Sequence, residues 1–424
     1  MNSSPASRHC QKAHRVAVTG LGIVSSLGTN RQRVTESLRL SRSGITLLKE
    51  RKDMGFRSGL SGVIRDFSPA KIERRYRKKL PEFGLWAWDA IHQAISQAGI
   101  SSKVLGEDPM NGMIFGNDCS VVSAVEQQKL LEEHEDTGLI GSAYLFRGLT
   151  STITLNLATK LKLMGSVYTV SGACASGAMA IGQAAELIAS GRQKRMICGG
   201  AQEISYQSMS SFDGLGAFSI RENEPAAASR PFDEERDGLV PSGGAAAVFL
   251  EEYQSAIDRG APIIAEILGY GNCSDGYHLS VPSGDGLQRA MSLALSDAEL
   301  TPEGIDLIMA HATSTPVGDE KEAEAVAALF NSRTCPRLPL VAATKSLTGH
   351  EFWMAGGSQL VYGLLMTTSG FVAAHPNLTK PLPAAAGLDI VTELREVQCR
   401  HILCNAAGFG GTNGCLVVRL EDSQ

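Results

Sequence analysis

The sequence predicts an α/β protein, and three observations support this class. Strand-like and helical segments alternate along the 424 residues. Most of the predicted strands are apolar throughout, and a strand with two apolar faces needs covering layers on both sides of its sheet. No low-complexity linker interrupts the alternation. We therefore expect a sheet buried between layers of helices.

The first predicted element is the strand VAVTGLG, which begins at Val16 and runs into a glycine turn. A helix is predicted between Pro81 and Gly99, because apolar residues recur there at helical spacing and a glycine ends the pattern. These apolar residues are Phe83, Trp86, Ala90, Ile91, Ala94 and Ile95. The further predicted strands, in chain order, are 112–116, 195–202, 245–252, 305–313, 338–346 and 414–420.

Composition and charge argue against several classes of protein. The net charge of −5 gives no overall positive field for nucleic acid or an anionic membrane. The nine cysteines have irregular spacing and no Cys-x-x-Cys pair, which argues against a metal ribbon or a disulfide scaffold and favours reduced thiols in the cytoplasm. No apolar run is long enough to span a bilayer. Residues 1–14 predict a flexible polar tail without a secretory signal, and this interpretation is favoured over stray metal binding by His9 and Cys10.

An internal repeat of low identity divides the chain. In each half a strand leads through a polar turn with a reactive residue to a helix rich in glycine and alanine. The two copies span 166–188 and 340–366, on either side of a seam at 256–263. Because small residues let helices approach closely, we expect the two helices to pack together at the centre. The predicted halves are 15–258 and 259–424.

The first candidate for chemistry is Cys174, at the junction of a strand, a turn and a helix. A helix start directs N–H groups and the positive end of its dipole at the side chain, which lowers a thiol pKa and favours the nucleophilic thiolate. The same N–H groups can hold an oxyanion. A buried, inert cysteine is equally compatible with the pattern, and Cys198, Cys404 and Cys415 fit that alternative.

Two further polar segments each follow a predicted strand. His311 precedes the hydroxyls of Thr313 and Thr315, which favour a ligand-facing loop over a purely structural histidine. Lys345 and His350 lie in the turn before the second small-residue helix. A lysine among apolar residues is costly unless it is paired, and Glu322 is its predicted partner, although an exposed loop lysine remains an alternative.

The last segment with predicted chemistry is the glycine-rich stretch 405–413. Its glycines permit positive φ angles and close approach of the backbone to a ligand. A phosphate cradle would need Gly-Lys-Ser/Thr, which is absent, and the dinucleotide-like segment near the start has Ser25 in place of the third glycine. No Gly-x-Ser-x-Gly elbow lies between a strand and a helix. One cysteine and two histidines in separate loops favour acyl transfer through a thioester.

Taken together, these segments resemble the elongating β-ketoacyl-ACP synthases, which are condensing enzymes with the thiolase fold. The resemblance runs from about Val16 to Leu420 and includes, in order, VTGLGIVSSLG, SGACASG, SRPFDEERDG, AHATSTPVGDEKE, TKSLTGH and GFGGTN. It implies an α/β thiolase fold: a five-layered αβαβα sandwich built from two pseudo-symmetric halves, assembled as a dimer.

The resemblance also implies a role for each candidate residue. Cys174 is the nucleophile that accepts an acyl chain, and His311 and His350 bind the malonyl thioester and promote its decarboxylation. Lys345 orders the histidine site with Glu322 as partner. The remaining implied positions are Asp319 (structural support), Thr313 and Thr315 (phosphopantetheine binding), the backbone N–H groups of Cys174 and Ala407 (oxyanion hole), and Gly408, Phe409, Gly410 and Gly411 (gate loop).

Three departures from the family pattern matter. The family usually reads Asn-Ser-Phe-Gly-Phe-Gly-Gly-Thr-Asn in the last loop, whereas Ala406 and Ala407 stand here in place of Ser and Phe. If that phenylalanine is the gate of the acyl pocket, the gate is missing. Trp353 stands where glycine is common, and Ala312 where glycine is usual. GHEFWMAGG is more similar to ketosynthases of bacterial aryl-polyene pathways than to housekeeping fatty-acid enzymes.

The implied partners follow from the same resemblance. The acyl carrier protein is acidic, so a basic surface is expected at Arg74, Arg75, Lys78 and Lys79, although a solvated helix face explains these charges equally well. The chain pairs with itself or with a chain-length-factor-like homologue. No metal or cofactor is expected, because substrates arrive on carrier phosphopantetheine. The alternatives are a thiolase, which would use a second cysteine near the end, and a non-catalytic partner subunit, which would lack the nucleophile.

Overall fold

The computed structural model describes residues 14–330, 335 and 337–421. The predicted tail, with His9 and Cys10, lies outside the described residues except for His14. The backbone N–H of His14 donates to the carbonyl of Ala189 at 3.1 Å, so this residue already belongs to the fold.

Strands and helices alternate along the described residues. The strands are β1 (Val16–Val24), β2 (Ile45–Leu47), β3 (Leu60–Gly62), β4 (Asn111–Gly116), β5 (Val167–Val170), β6 (Arg195–Gln202), β7 (Gly244–Glu252), β8 (Ala265–Ser274), β9 (Leu307–Met309), β10 (Leu340–Ala342), β11 (Phe371–Val372), β12 (Asp389–Ile390), β13 (Arg395–Glu396), β14 (His401–Gly408) and β15 (Thr412–Leu420). The α-helices are α1 (Arg31–Arg39), α2 (Lys49–Asp53), α3 (Arg74–Arg77), α4 (Glu82–Gln97), α5 (Ser102–Glu107), α6 (Val122–His134), α7 (Ala143–Gly148), α8 (Thr152–Leu161), α9 (Ser176–Ala189), α10 (Tyr206–Gly214), α11 (Tyr253–Asp258), α12 (Asp285–Asp297), α13 (Pro316–Leu329), α14 (Lys345–Thr348) and α15 (Ala355–Thr368).

Two five-stranded groups form the central sheet, and they have the same topology. The strand order is β5-β4-β6-β7-β1 in the first group and β10-β9-β14-β15-β8 in the second, with β12 added at the far edge. Ranked by chain order within each group, both read 3-2-4-5-1. Both also have two parallel pairs followed by two antiparallel pairs. This agreement confirms the pseudo-symmetry that the internal repeat predicted.

The two groups pack around a central helical layer. Helices α9 and α15 share one core with residues of both groups, while α4 covers β1 and β7 from outside and α12 covers β8 and β15. The predicted close packing of the two small-residue helices is confirmed. A Cβ on Gly177 would lie 2.8 Å from the backbone nitrogen of Gly357, and one on Gly356 would lie 2.5 Å from that of Ala178. The layers are therefore the predicted helix–sheet–helix–sheet–helix sandwich.

The long predicted strands and the helix at α4 are confirmed, with shorter strands near the site. The predicted strand 305–313 ends at Met309, because the N–H groups of His311 and Ala312 bond to a carboxylate and not to a neighbouring strand. The predicted glycine loop is mostly strand, since β14 continues to Gly408 and pairs with β15. Within the residues described, none of the helices has the length and hydropathy needed to cross a membrane.

Candidate active site

Cys174 lies between the end of β5 and the start of α9, as the sequence predicts. The turn before it is tight, because Ala173 has a left-handed φ of 49°, which is costly for a residue other than glycine. The hydroxyl of Ser176 accepts from the N–H of Gly172 at 2.8 Å and donates to the carbonyl of Ala173 at 2.6 Å. These bonds hold the turn in the shape that presents the sulfur.

The resting state of this thiol differs from the prediction. Burial raises the pKa of Cys174 to about 12, and it outweighs the opposing effects of Lys345 and of the backbone N–H groups of Cys174 and Phe409. The predicted thiolate is therefore wrong for the resting protein. The helix start does favour the anion, but removal of the sulfur from water costs more. The thiol needs a base before it can react.

His350 is the hydrogen-bond partner of this thiol. Its Nε2 lies 3.2 Å from the Cys174 sulfur. The backbone on both sides of the ring is anchored, since His350 N donates to Val240 O at 2.7 Å and His350 O accepts from Ser242 N at 2.8 Å. The ring stacks on Phe352 at 4.7 Å between centroids. These contacts hold the imidazole against the sulfur.

His311 completes a pair of buried imidazoles. Its ring centroid lies 5.2 Å from that of His350, with the planes nearly perpendicular. Burial lowers the pKa of both histidines well below the ordinary value, and the positive charge of Lys345 lowers both further. Both rings are therefore neutral at physiological pH. A neutral imidazole offers one N–H donor, which is what a developing enolate oxygen needs.

The contacts of Lys345 correct a second prediction in part. Its Nζ donates to Gln359 Oε1 at 2.8 Å, while the predicted partner Glu322 is the first of the charges that raise the Lys345 pKa. Glu322 accepts from the N–H groups of His311 at 2.8 Å and Ala312 at 2.6 Å, and from Asn405 Nδ2 at 3.0 Å. This carboxylate fixes the loop that carries His311, while acting on Lys345 through its charge alone.

Asp319 lies in the first turn of α13 and ties two loops together. Its carboxylate accepts from the N–H groups of Phe232 at 2.8 Å and Ser314 at 3.0 Å. Burial raises its pKa to about 7, against the opposing effects of these bonds and of Arg236. The hydroxyls of Thr313 and Thr315 lie 3.0 Å apart, half-buried at the side of the same loop.

The gate loop corrects a third prediction. The backbone N–H that acts on the Cys174 sulfur, besides its own, belongs to Phe409 and not to Ala407. Ala407 is paired with Asn413 inside the β14–β15 ladder, whereas Phe409 follows the end of the strand. Gly408 lets this hairpin reach the nucleophile, because a Cβ there would lie 2.8 Å from Cys174 N. The ring at the mouth is thus present: it is Phe409, which is exposed and lies 6.0 Å from Phe212.

An aromatic wall that the sequence did not predict lies beside Cys174. Phe212 lies 4.9 Å from Phe352 and 6.4 Å from Trp353, measured between ring centroids. Trp353 and Phe352 belong to the same apolar cluster as Cys174. The sequence singles out Trp353, because its bulk is unusual at that position. Phe212 lies on α10, a segment in which the sequence shows no motif. Gln359 was missed for the same reason, since an interior helix position carries no motif.

The predicted basic surface lies on and after α3. Arg74, Arg75 and Lys78 are exposed, and Lys79 is half-buried with its Nζ 4.9 Å from the centre of the Phe146 ring. Three of the four cations are therefore exposed, and the guanidinium of Arg75 lies over the Tyr76 ring at 4.8 Å from its centre. Among the described residues, no group of three or more His, Cys, Asp or Glu side chains is arranged to hold a metal ion.

Family models match most of the chain. The model of the β-ketoacyl synthase N-terminal domain matches residues 13–256, and that of the C-terminal domain matches residues 264–379. The 3-oxoacyl-[acyl-carrier-protein] synthase 1 of Escherichia coli strain K12 is 39% identical over 407 residues, which cover 96% of this chain and 98% of the relative. The corresponding synthase 2 of Vibrio harveyi is 31% identical over 411 residues, with 96% and 98% covered.

Solved structures show the same fold. A β-ketoacyl synthase from Burkholderia phymatum STM815 superposes with a TM-score of 0.90 at 33% identity, covering 96% of this chain and all of that one. The ishigamide ketosynthase/chain length factor gives 0.87 at 28% identity, with 97% and 100% covered. A type II polyketide synthase acyl-carrier protein in complex with its hexaketide-bound ketosynthase gives 0.85 at 28% identity, with 96% and 100% covered.

Proposed function

This chain belongs to the β-ketoacyl synthase family, and we propose that it condenses an acyl chain held on Cys174 with a malonyl unit held on an acyl carrier protein. It is a condensing acyltransferase of fatty-acid or polyketide synthesis, like its relatives of similar length and fold. That the protein serves an aryl-polyene pathway stays a prediction. The observation that carries the proposal is the 3.2 Å contact between Cys174 Sγ and His350 Nε2, beside a second neutral histidine.

In the first step, the sulfur of Cys174 attacks the thioester carbonyl of an acyl carrier. Its proton passes to His350 Nε2, because the buried thiol holds its proton until a base takes it. The N–H groups of Cys174 and Phe409 face the position where the oxyanion forms. The carrier thiol then leaves with the proton from His350, and Cys174 holds the acyl chain.

In the second step, a malonyl carrier enters and loses carbon dioxide. The electrons of the broken C–C bond form an enolate, which accepts an N–H bond from His311 and one from His350 in the tautomer that carries its proton on Nε2. The enolate carbon attacks the acyl thioester, the bond to sulfur breaks, and the Cys174 thiolate takes up a proton from water. Decarboxylation drives this step, so no strong base and no cofactor is required.

Recognition of the carrier would use two surfaces. Thr313 and Thr315 present hydroxyls from the His311 loop, which suits hydrogen bonds to the amides of a phosphopantetheine arm. Arg74, Arg75 and Lys78 supply the exposed positive charge that steers an acidic protein.

A partner chain fits the free edge of the sheet. Strand β5 pairs with β4 on one side and ends the strand order on the other, so its outer backbone groups are open to another strand. Exposed apolar side chains lie on β5, on α8 that packs against it, and in the turn between them, and we name them the open-edge patch: Leu155, Met164 and Tyr168. We propose that a second copy, or a homologue of chain-length-factor type, covers this patch. The ishigamide ketosynthase/chain length factor is a structural relative of that kind.

The two alternatives are less favoured. A thiolase would need a second cysteine at the site, but Cys404 and Cys415 lie buried within β14 and β15. A non-catalytic partner subunit has no use for a nucleophile, a base and a buried lysine in one cluster. The eight free cysteines of the described residues favour a reducing compartment, and we propose a cytoplasmic location.

The proposal is tested by separating the two steps. Cys174→Gln removes the nucleophile but leaves the histidine pair, so this variant is expected to release carbon dioxide from a malonyl carrier without forming a condensed product. His350→Ala in the same background should lose most of that decarboxylation, which is measured as release of labelled carbon dioxide. Condensation by Cys174→Ala, or full decarboxylation without His350, would contradict the assigned roles.

A further inference from the structure

Lys345 is a buried cation without a carboxylate in contact. Its side chain is 1% exposed, and its Nζ donates to the neutral Gln359 Oε1. The orientation of that amide is fixed, because its nitrogen donates to the carbonyls of Met309 at 3.2 Å, Ala310 at 2.9 Å and Asn405 at 2.8 Å. A buried charge is costly unless an opposite charge compensates it. The protein must therefore supply the compensating charge from further away.

Two buried carboxylates act on Lys345 through their charge, Glu322 and Glu351. Three N–H donors already surround Glu322, two from the backbone and one from Asn405. Glu351 has a different setting. Its two oxygens accept hydroxyl bonds from Ser358 at 2.5 Å and Tyr362 at 2.6 Å, both on α15.

Glu351 also lies directly after His350 in the chain, at the turn that leads into α15. The backbone of this turn is strained, since Phe352 has a left-handed φ of 43°. The two hydroxyl bonds tie the carboxylate to the first eight residues of α15, the helix that also carries Gln359. One short segment therefore joins His350, Glu351 and the amide that holds Lys345.

We propose that Glu351 is a positioning residue whose carboxylate, together with that of Glu322, provides the counter-charge for the buried Lys345 beside Cys174, His311 and His350. This inference rests on the proposed function, and it adds a residue to the site that acts through Lys345. The positive charge of Lys345 acts on all three reacting groups, because it lowers the pKa of Cys174 against the larger effect of burial and lowers the pKa of both histidines.

The charges around Glu351 define a pH window. Burial raises the pKa of Glu351 to about 7, while its bonds to Ser358 and Tyr362 and the charge of Lys345 oppose this rise. Burial lowers the pKa of Lys345 to about 8, while Glu322, Glu351, Cys174 and Asp319 oppose this fall. Below the first value Glu351 becomes neutral, and above the second Lys345 does. Both charges are present together between the two values.

The test is the pH profile of malonyl-carrier decarboxylation in the full-length protein. Glu351→Gln removes the charge and keeps the shape, so the alkaline limb of the profile should move to lower pH by about one unit, the usual effect of losing a nearby opposite charge. Glu351→Asp is the matched control, since it keeps a carboxylate at the same position in the chain. Its alkaline limb should stay at the wild-type position.

The possible results separate this inference from the proposed function. An alkaline limb that stays in place in Glu351→Gln, or that moves equally in Glu351→Asp, overturns the role of Glu351. A wild-type protein that does not decarboxylate a malonyl carrier overturns the proposed function instead.

A second measurement does not depend on activity. Removal of one member of a buried charge pair destabilises a protein, whereas removal of both is far less costly. Glu351→Gln should therefore lower the Tm, and Lys345→Met added to it should restore most of the loss. A double variant that is less stable than Glu351→Gln would show that the two charges are not coupled and would overturn the proposal.

Discussion

At the scale of single residues, the sequence predicts where Cys174 lies but not whether its thiol is ionised. Its position at a strand–turn–helix junction was predicted and is confirmed, but its protonation state was not. Burial depends on the residues that close over the sulfur, and these come from β14, α10 and the turn after His350. Local sequence therefore places the nucleophile, whereas its pKa is a property of the tertiary contacts.

The same limit explains the error at Ala407 and the unpredicted contact between Lys345 and Gln359. The motif GFGGTN marks the right hairpin, but which N–H faces the sulfur depends on where the β14–β15 ladder ends. Similarly, the sequence shows that a buried lysine needs a partner, but not that Lys345 donates its hydrogen bond to Gln359 on α15.

The raised thiol pKa predicts how Cys174 reacts with a small alkylating agent. Because the folded pKa lies near 12, the thiolate fraction grows about tenfold per pH unit through the neutral and mildly alkaline range. The rate of inactivation by iodoacetamide should rise in this way without reaching a plateau. The protein treated at each pH is assayed for residual condensation, and Cys174→Ala identifies labelling elsewhere. A plateau below neutral pH would show a resting thiolate and contradict the structure.

At the scale of elements, strained backbone marks the site. Nine non-glycine residues in the described part of the chain have left-handed φ angles, and four of them lie in segments that build the site: Ala173, Phe232, Ser314 and Phe352. Such strain persists only where surrounding contacts fix it. Helix and strand periodicity cannot predict these turns, which is why the elements were anticipated better than the loops between them.

The crossing of α9 and α15 predicts a sharp cost for a small substitution. Gly356→Ala should destabilise the protein by about 1–3 kcal/mol, because its Cβ would collide with the backbone of α9. Gly363→Ala in the same helix is the matched control, since its Cβ would meet a flexible methionine side chain at 3.1 Å. Chemical denaturation measures both. Equal stability of the two variants would contradict the close crossing.

The aromatic wall predicts a change in substrate range. Trp353 fills apolar space in the cluster that holds Cys174, so Trp353→Ala should let longer saturated acyl chains load. Loading of the shortest chain should be retained, which serves as the control for folding. Competition between acyl carriers of increasing length measures the preference. An unchanged preference would place the acyl chain away from Trp353.

At the scale of the whole molecule, the pseudo-symmetric fold was the most predictable feature. Two copies of strand, polar turn and small-residue helix were visible in the sequence, and the structure gives both halves the same strand order and directions. The prediction worked because helices that cross closely at the centre need small residues, and strands that are covered on both sides need apolar ones. Strand β8 and helix α12 were not anticipated, since their polar, half-exposed positions interrupt the apolar pattern.

The open-edge patch predicts a dimer interface. Met164→Glu should weaken the association of two chains, because it places a charge in the apolar surface beside β5. Leu293→Glu, at an exposed apolar position on α12, is the matched control and should leave the assembly unchanged. Sedimentation velocity measures both. A protein that remains dimeric with Met164→Glu and separates with Leu293→Glu would place the interface elsewhere.

The central claim is that Cys174 carries the acyl chain, and intact-mass measurement tests it most directly. After incubation with an acyl carrier thioester, the wild-type protein should gain the mass of one acyl group, and digestion should locate that mass on the peptide that contains Cys174. His350→Ala should load more slowly, because the thiol lacks its base, and Cys174→Ala should not load. An acyl group on Cys174→Ala, or on a different peptide of the wild-type protein, would contradict the account.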